Sequence, residues 1–134
     1  MNKQLILIFV SFHTSLNEVI KLKSCLEKLP VNIGYAVFVN EYIPFEPINA
    51  LRANADCFVT SPQNFGYGRA VNQIVERLNT KPPYIGILNT DLVWNQGTFE
   101  NLVSWLLESP NVVLAVPQIL EDNFDILKLL KLIN

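Results

Sequence analysis

Apolar residues along this chain alternate between short unbroken runs and stretches with helical spacing. Leu5–Phe12 is one continuous β-rich run, the pattern of a strand covered on both faces in a parallel sheet. Ser15 and Glu18 have capping-box spacing. The helix they open carries Leu16, Val19, Ile20, Leu26 and Leu29 near helical intervals, and Pro30 stops it. Ile33–Val39 reads as a second strand, followed by a proline-bearing loop over Glu41–Pro47 and one helical turn. Cys57–Thr60 is a short third strand. A turn-rich loop over Ser61–Gly68 then leads into a helix with Ala70, Val71, Ile74, Val75 and Leu78 on one face. Tyr84–Leu88 is a fourth strand that runs into Asn89-Thr90-Asp91. Phe99, Leu102, Val103, Leu106 and Leu107 mark another helix, ended by Ser109-Pro110. Val112–Val116 is expected as a fifth strand, closed by Pro117, and Phe124–Ile133 as an amphipathic helix.

Repeated strand–helix units predict an α/β domain with a mostly parallel central sheet between two helical layers. Leu5–Val10, Tyr35–Val39 and Ile85–Leu88 are expected to be central and buried. In such sheets ligands bind at the carboxyl ends of the strands, beside a topological switch point.

At 134 residues, 50% hydrophobic and 16% charged, the chain fits one domain over 1–134 and is too apolar for a disordered tail. Its formal charge of −2 argues against nucleic acid as a partner, because duplex binders carry a basic surplus. Cys25 and Cys57 are too few for a disulfide scaffold and are expected to pack as small buried hydrophobes. With His13 as the sole histidine, a histidine-rich metal site is excluded. Leu5–Val10 is far shorter than the roughly 20 residues a bilayer span needs, and no small-residue cleavage site follows it. A cytoplasmic protein is expected.

Polar residues concentrate at four strand ends: Ser11-Phe12-His13, Asn40-Glu41, Ser61 to Arg69, and Asn89-Thr90-Asp91. Asp91, with the Asn89 amide oxygen, has the hard-oxygen chemistry of a magnesium or manganese site that leaves positions for phosphate oxygens. Asn and Asp are also common turn formers at strand exits, and that reading stays open. Gly66-x-Gly68-Arg69 opens a helix, where free amides and a guanidinium suit an anion; a plain glycine turn with a surface arginine is the alternative.

Other chemistries fit poorly. A dinucleotide fingerprint would place a third glycine at Val71 and follow the first strand rather than the third. No Walker A loop is present. Ser11 and His13 lack an orienting acid for a hydrolytic triad, and a phosphoacceptor domain would need paired acids at the first strand end. A nucleotidyltransferase would want a glycine- and lysine-rich loop where Ser11–Ser15 stands. Trp105, in a leucine-rich helix, is expected in the core, and Trp94, just after Asp91, partly exposed near a ligand.

Four segments in register resemble family-2 glycosyltransferases of the GT-A fold, especially the rhamnosyltransferase-like branch. Val10-Ser11-Phe12-His13 looks like that family's Val-Ser-Tyr-Asn opening, and Gln63–Asn72 like its Asn-x-Gly-Phe-Gly-x-Ala-x-Asn segment. Ile87–Leu92 resembles its Leu-Asn-Pro-Asp stretch, the local form of the DxD motif, and Val116–Leu120 the strand that follows. The likeness covers residues 4 to about 126.

The resemblance implies a truncated GT-A, Rossmann-like three-layer α/β/α sandwich that binds a nucleoside-diphosphate sugar with Mn²⁺ or Mg²⁺. Ser11 and Phe12 would flank the nucleoside. Asn40 stands where the family usually has an aspartate contacting the base. Gly66, Gly68, Arg69, Asn72 and Asn89 would lie near the nucleotide, and Asp91 would hold the metal. The implied reaction is inverting transfer to a glycan or lipid-linked acceptor in polysaccharide biosynthesis, at the inner face of the membrane or free in the cytoplasm. The acceptor pocket and the carboxylate base of this family lie further along than this chain runs. Glu121 and Asp122 come too soon after Asp91 to be that base, so no catalytic residue is assigned. The expectation is a donor-binding half, which meets a second copy or a partner chain through its C-terminal helix. The alternative is a catalytically silent nucleotide-binding or interaction fragment of the same fold.

Overall fold

The computed structural model describes residues 2–117. The elements run β1 (Leu5–Phe12), α1 (Leu16–Leu26), β2 (Ile33–Asn40), a 3-10 turn (Pro47–Leu51), β3 (Cys57–Thr60), α2 (Gly66–Arg77), β4 (Tyr84–Leu88) and α3 (Thr98–Glu108). The four strands form one sheet in the order β3-β2-β1-β4, all parallel. Leu5 pairs with Ile33 on one side and Tyr84 on the other, so the strands flanking β1 start level with it.

Alternation along the central strands feeds two cores. Leu5, Leu7 and Phe9 of β1, with Tyr35, Val37 and Val39 of β2, face Val19, Leu22 and Leu26 of α1, Ile48 and Leu51 of the 3-10 turn, and Phe99 and Val103 of α3. Ile6, Ile8 and Val10, with Ala36 and Phe38, face Ala70, Val71, Ile74 and Leu78 on the α2 side. Both faces of β1 and β2 are thus covered, which is why these runs are unbroken in apolar character. Gly34 packs closely against β1 and the segment before β3: a Cβ there would run into the Asp56 carboxylate and the Ile6 side chain, and that carboxylate accepts from the Tyr35 amide at 3.1 Å, so making room displaces a bonded group.

The chain moves outward from β1 through β2 to β3 and then returns to the far side of β1 as β4. Right-handed crossovers place the connecting helix on opposite faces when the direction of travel reverses, and α1 and α2 do lie on opposite faces. The switch point therefore falls between β1 and β4, at the ends that carry Phe12 and Asn89.

Several expectations are corrected. Val112–Val116 forms no strand: it has no ladder partner among the described residues, and Val113 is 93% exposed. β-propensity without a paired neighbour does not make a strand. β4 is the last strand of the described sheet rather than a buried central one. Tyr84 and Leu88 pack on the first core, but Ile87 is 53% exposed on the other face, because α2 packs over β1, β2 and β3 and not over β4. On α1, Val19, Leu22 and Leu26 are buried while Leu16 and Ile20 face outward. Trp105 lies on the outer side of α3 and is 50% exposed, since Phe99, Val103 and Leu106 supply that helix's core face. Cys25 and Cys57 are only half-buried free thiols. The expected helix over Phe124–Ile133 lies outside the described residues. No described helix is long and apolar enough to cross a membrane.

Candidate functional site

In a parallel sheet every strand exit and every following helix start share one edge, so β1, β2, β4, α1 and α2 all send their first polar residues to the same place. An open cavity of about 420 Å³ lies there, lined by Val10 and Phe12 of β1, Glu18 of α1, Asn40 of β2, Asn64, Gly66 and Tyr67 at the start of α2, and Asn89, Thr90 and Asp91 beyond β4. A second, smaller cleft of about 210 Å³ shares Glu18, Thr90 and Asp91 and adds Lys21, Leu92 and Val93.

The wall nearest β2 is built by the loop before α2. Ser61, almost fully buried, turns the chain by donating to the Gln63 carbonyl at 2.8 Å and accepting from the Gln63 amide at 3.1 Å. Asn64 accepts from the Gly66 amide at 2.8 Å, an Asx turn that sets up the helix start. Gly66 has φ +73°, a conformation that glycine adopts without steric cost. Asn40 ties this loop to β2. Its side-chain oxygen accepts from the Phe65 amide at 2.9 Å, and its Nδ2 donates to the Gly66 carbonyl at 3.3 Å. With Asn40 only 2% exposed, both ends of its amide are used inside the protein.

The opposite wall is the Asn89-Thr90-Asp91 loop. Tyr67 donates its hydroxyl to Asn89 Oδ1 at 3.2 Å, bridging the cavity mouth from α2. Burial, and then the nearby Asp91 charge, push the Tyr67 phenol above its ordinary 10.0, so it stays a donor at neutral pH. Thr90 is within hydrogen-bond reach of Thr14 (Oγ1–Oγ1 3.1 Å), which in turn bonds Ser11 (Oγ–Oγ1 2.7 Å). Asp91 itself is exposed. At the exits of β1 and β2, His13 and Glu41 both have positive φ (51° and 48°) and meet at 3.0 Å. Such an exposed pair contributes little to stability.

Of the residues singled out in the sequence, Phe12, Asn40, Gly66, Asn89 and Asp91 come together in the cavity lining. Ser11 lies beneath it, fully buried, and Gly68, Arg69 and Asn72 lie on the exposed first turns of α2 outside the lining. Trp94 points away from the site: its ring stacks on Phe9 at 6.2 Å and meets Phe99 edge-on at 5.0 Å against the first core. The lining also takes in Asn64, Tyr67 and Thr90, which lie in strand ends singled out in the sequence without a role of their own, and Val10 and Glu18, which sequence reasoning did not point to as site residues. Glu18 was legible, because the first turn of a helix that follows a parallel strand must sit at the ligand-binding edge.

The donor set fits a hard divalent cation. Asp91, Glu18 and the amide oxygen of Asn89 are oxygen ligands of the kind magnesium and manganese prefer. No cluster of three His, Cys, Asp or Glu side chains occurs among the described residues. A cation here would therefore complete its shell with water and substrate oxygens.

Residues 56–132 match the model of glycosyl transferase family 2, more than half of the chain. The chain belongs to that family. No curated protein matches it. The matched stretch takes in β3, α2, β4 and α3, hence both the Gly66–Asn72 segment and the Asn89–Asp91 loop of this glycosyltransferase-like domain. The all-parallel sheet flanked by helices agrees with the GT-A, Rossmann-like fold that the resemblance implied.

Proposed function

We propose that this family-2 domain binds the nucleoside diphosphate of a sugar donor, together with a divalent cation, in the cavity at the carboxyl ends of β1, β2 and β4. The observation that carries this reading is the lining itself. Two carboxylates, Glu18 and Asp91, share the cavity with neutral amides and two half-exposed aromatic rings, Phe12 and Tyr67, and the lining includes no lysine or arginine. A diphosphate entering such a pocket meets repulsion unless a cation stands between phosphate and carboxylate. The rings supply flat apolar surface suited to a base or ribose.

Asp91, with Asn89 and Glu18, would hold Mn²⁺ or Mg²⁺, which when bound offsets the charge that develops on a departing nucleoside diphosphate. Arg69 adds a fixed positive charge at the start of α2, where free backbone amides already favour an anion. The reaction class is inverting transfer of a sugar to a glycan or lipid-linked acceptor. The likeness of Gln63–Asn72 to the rhamnosyltransferase-like branch supports a role in polysaccharide assembly.

Titration calorimetry with uridine diphosphate, with and without manganese, tests the assignment. Wild type binds more tightly with manganese. Asp91→Asn loses that gain with little change in thermal midpoint, because the exposed carboxylate contributes little to the fold. Arg69→Ala weakens binding but keeps the metal dependence. Equal manganese-dependent affinity in wild type and Asp91→Asn would sink the donor-site reading.

A further inference from the structure

The Asn89-Thr90-Asp91 loop lies beyond the last rung of the β1–β4 ladder, which ends at the Phe9–Leu88 pair. Something other than the sheet must hold it. Two side-chain bonds do so: the exposed Tyr67–Asn89 bond at the cavity mouth, and the shielded Thr14–Thr90 bond beneath it. We infer that Thr14 is a positioning residue for this loop, the middle member of a hydroxyl chain Ser11–Thr14–Thr90 that fixes the Asp91 carboxylate against β1. The role in ligand binding rests on the donor-site reading above; the role in ordering the loop does not.

The Ser11–Thr14 bond joins residues three apart and is explained locally, since a fully buried serine hydroxyl needs a partner. The Thr14–Thr90 bond joins residues 76 apart and has no local explanation. It crosses the switch point and couples the exit of β1 to the exit of β4. Three hydroxyls carry three protons for two bonds, so one proton is left over, and the direction of the bonds decides which hydroxyl keeps it. Thr90 lines both clefts, and with the chain oriented from Ser11 toward Thr90 that proton faces the cavity, where it can donate to a ligand oxygen. Consecutive hydroxyl bonds polarise one another, which strengthens such a terminal donor.

The test combines three variants of the full chain with two readouts. Thr14→Val keeps shape and removes the hydroxyl, Thr14→Ser keeps the hydroxyl, and Thr90→Val cuts the far bond while leaving Ser11–Thr14 intact. Backbone ¹⁵N order parameters, recorded without ligand, are expected near the rigid value of ~0.85 at positions 89–91 in wild type and Thr14→Ser. They fall below about 0.6 in Thr14→Val and Thr90→Val, while β1 and β2 stay rigid. Manganese-dependent affinity for uridine diphosphate falls about fivefold in both valine variants, the factor one net hydrogen bond supplies, and recovers in Thr14→Ser. If wild type itself binds no uridine diphosphate, the donor-site reading fails, and the order parameters alone decide the loop tie. Order parameters at 89–91 that stay at the wild-type value in both valine variants overturn the inference. So does a Thr14→Ser variant that behaves like Thr14→Val.

Discussion

Replacing Asn40 with alanine separates two roles that one side chain can have at the end of β2. As a base contact it would cost nucleotide affinity and little stability. As the clamp observed here it costs both together. The alanine variant removes the bonds to the Phe65 amide (2.9 Å) and the Gly66 carbonyl (3.3 Å). Phe65 and Gly66 are themselves exposed, so their freed groups can rehydrate, and each loss is near the net value of about 1 kcal/mol rather than the full desolvation penalty. The longer bond belongs to the weaker end of that range, and the truncated amide leaves a polar space that water can fill. The expected loss is about 2 kcal/mol. For a domain of this size that lowers the thermal midpoint by roughly 5–10 °C. Calorimetric melts and urea denaturation measure the loss. The Phe65 amide resonance reports whether the loop before α2 has been released. An Asn40→Ala protein that melts within about 1 °C of wild type, with its Phe65 amide unmoved and its nucleotide affinity reduced, would refute the clamp.

Two further perturbations test the scaffold beneath the site. Gly34→Ala drives a Cβ into the Asp56 carboxylate and breaks its bond to the Tyr35 amide; urea melts should give a loss of about 1–3 kcal/mol, and an unchanged midpoint would contradict the close approach. Tyr35 is buried and donates its hydroxyl to the Leu51 carbonyl at 2.7 Å, and burial first, then Asp56 and Glu27, push its phenol above the ordinary 10.0. The unfolded chain thus ionises before the folded one, so this stabilisation is complete below about pH 10 and is lost as pH rises through the folded value. Melts across the alkaline range should show the decline beginning near pH 10, with a shallower slope in Tyr35→Phe.

Local pattern alone determined much of this protein. The runs Leu5–Phe12, Ile33–Val39, Cys57–Thr60 and Tyr84–Leu88 are legible as strands because burial on one or both faces leaves its mark on neighbouring residues. Ser15 caps α1 as its spacing predicts, accepting from the Glu18 amide at 3.3 Å, and the glycines at 66 and 68 open α2 where a helix start was expected. Strand ends could be picked out as the ligand-binding edge because a parallel sheet always presents them together. Tertiary structure decided the rest. Whether β4 is covered depends on how far α2 reaches across the sheet, and whether Val112–Val116 becomes a strand depends on a partner; neither is written in the segment itself. Trp94 turns inward and Trp105 outward because Phe9 and Phe99 leave room for one ring and Phe99, Val103 and Leu106 already fill the place of the other. Thr14 and Thr90 stand 76 residues apart, and their bond exists only because β1 and β4 lie side by side. Residue type announces which groups can bond, but separation along the chain hides which of them meet.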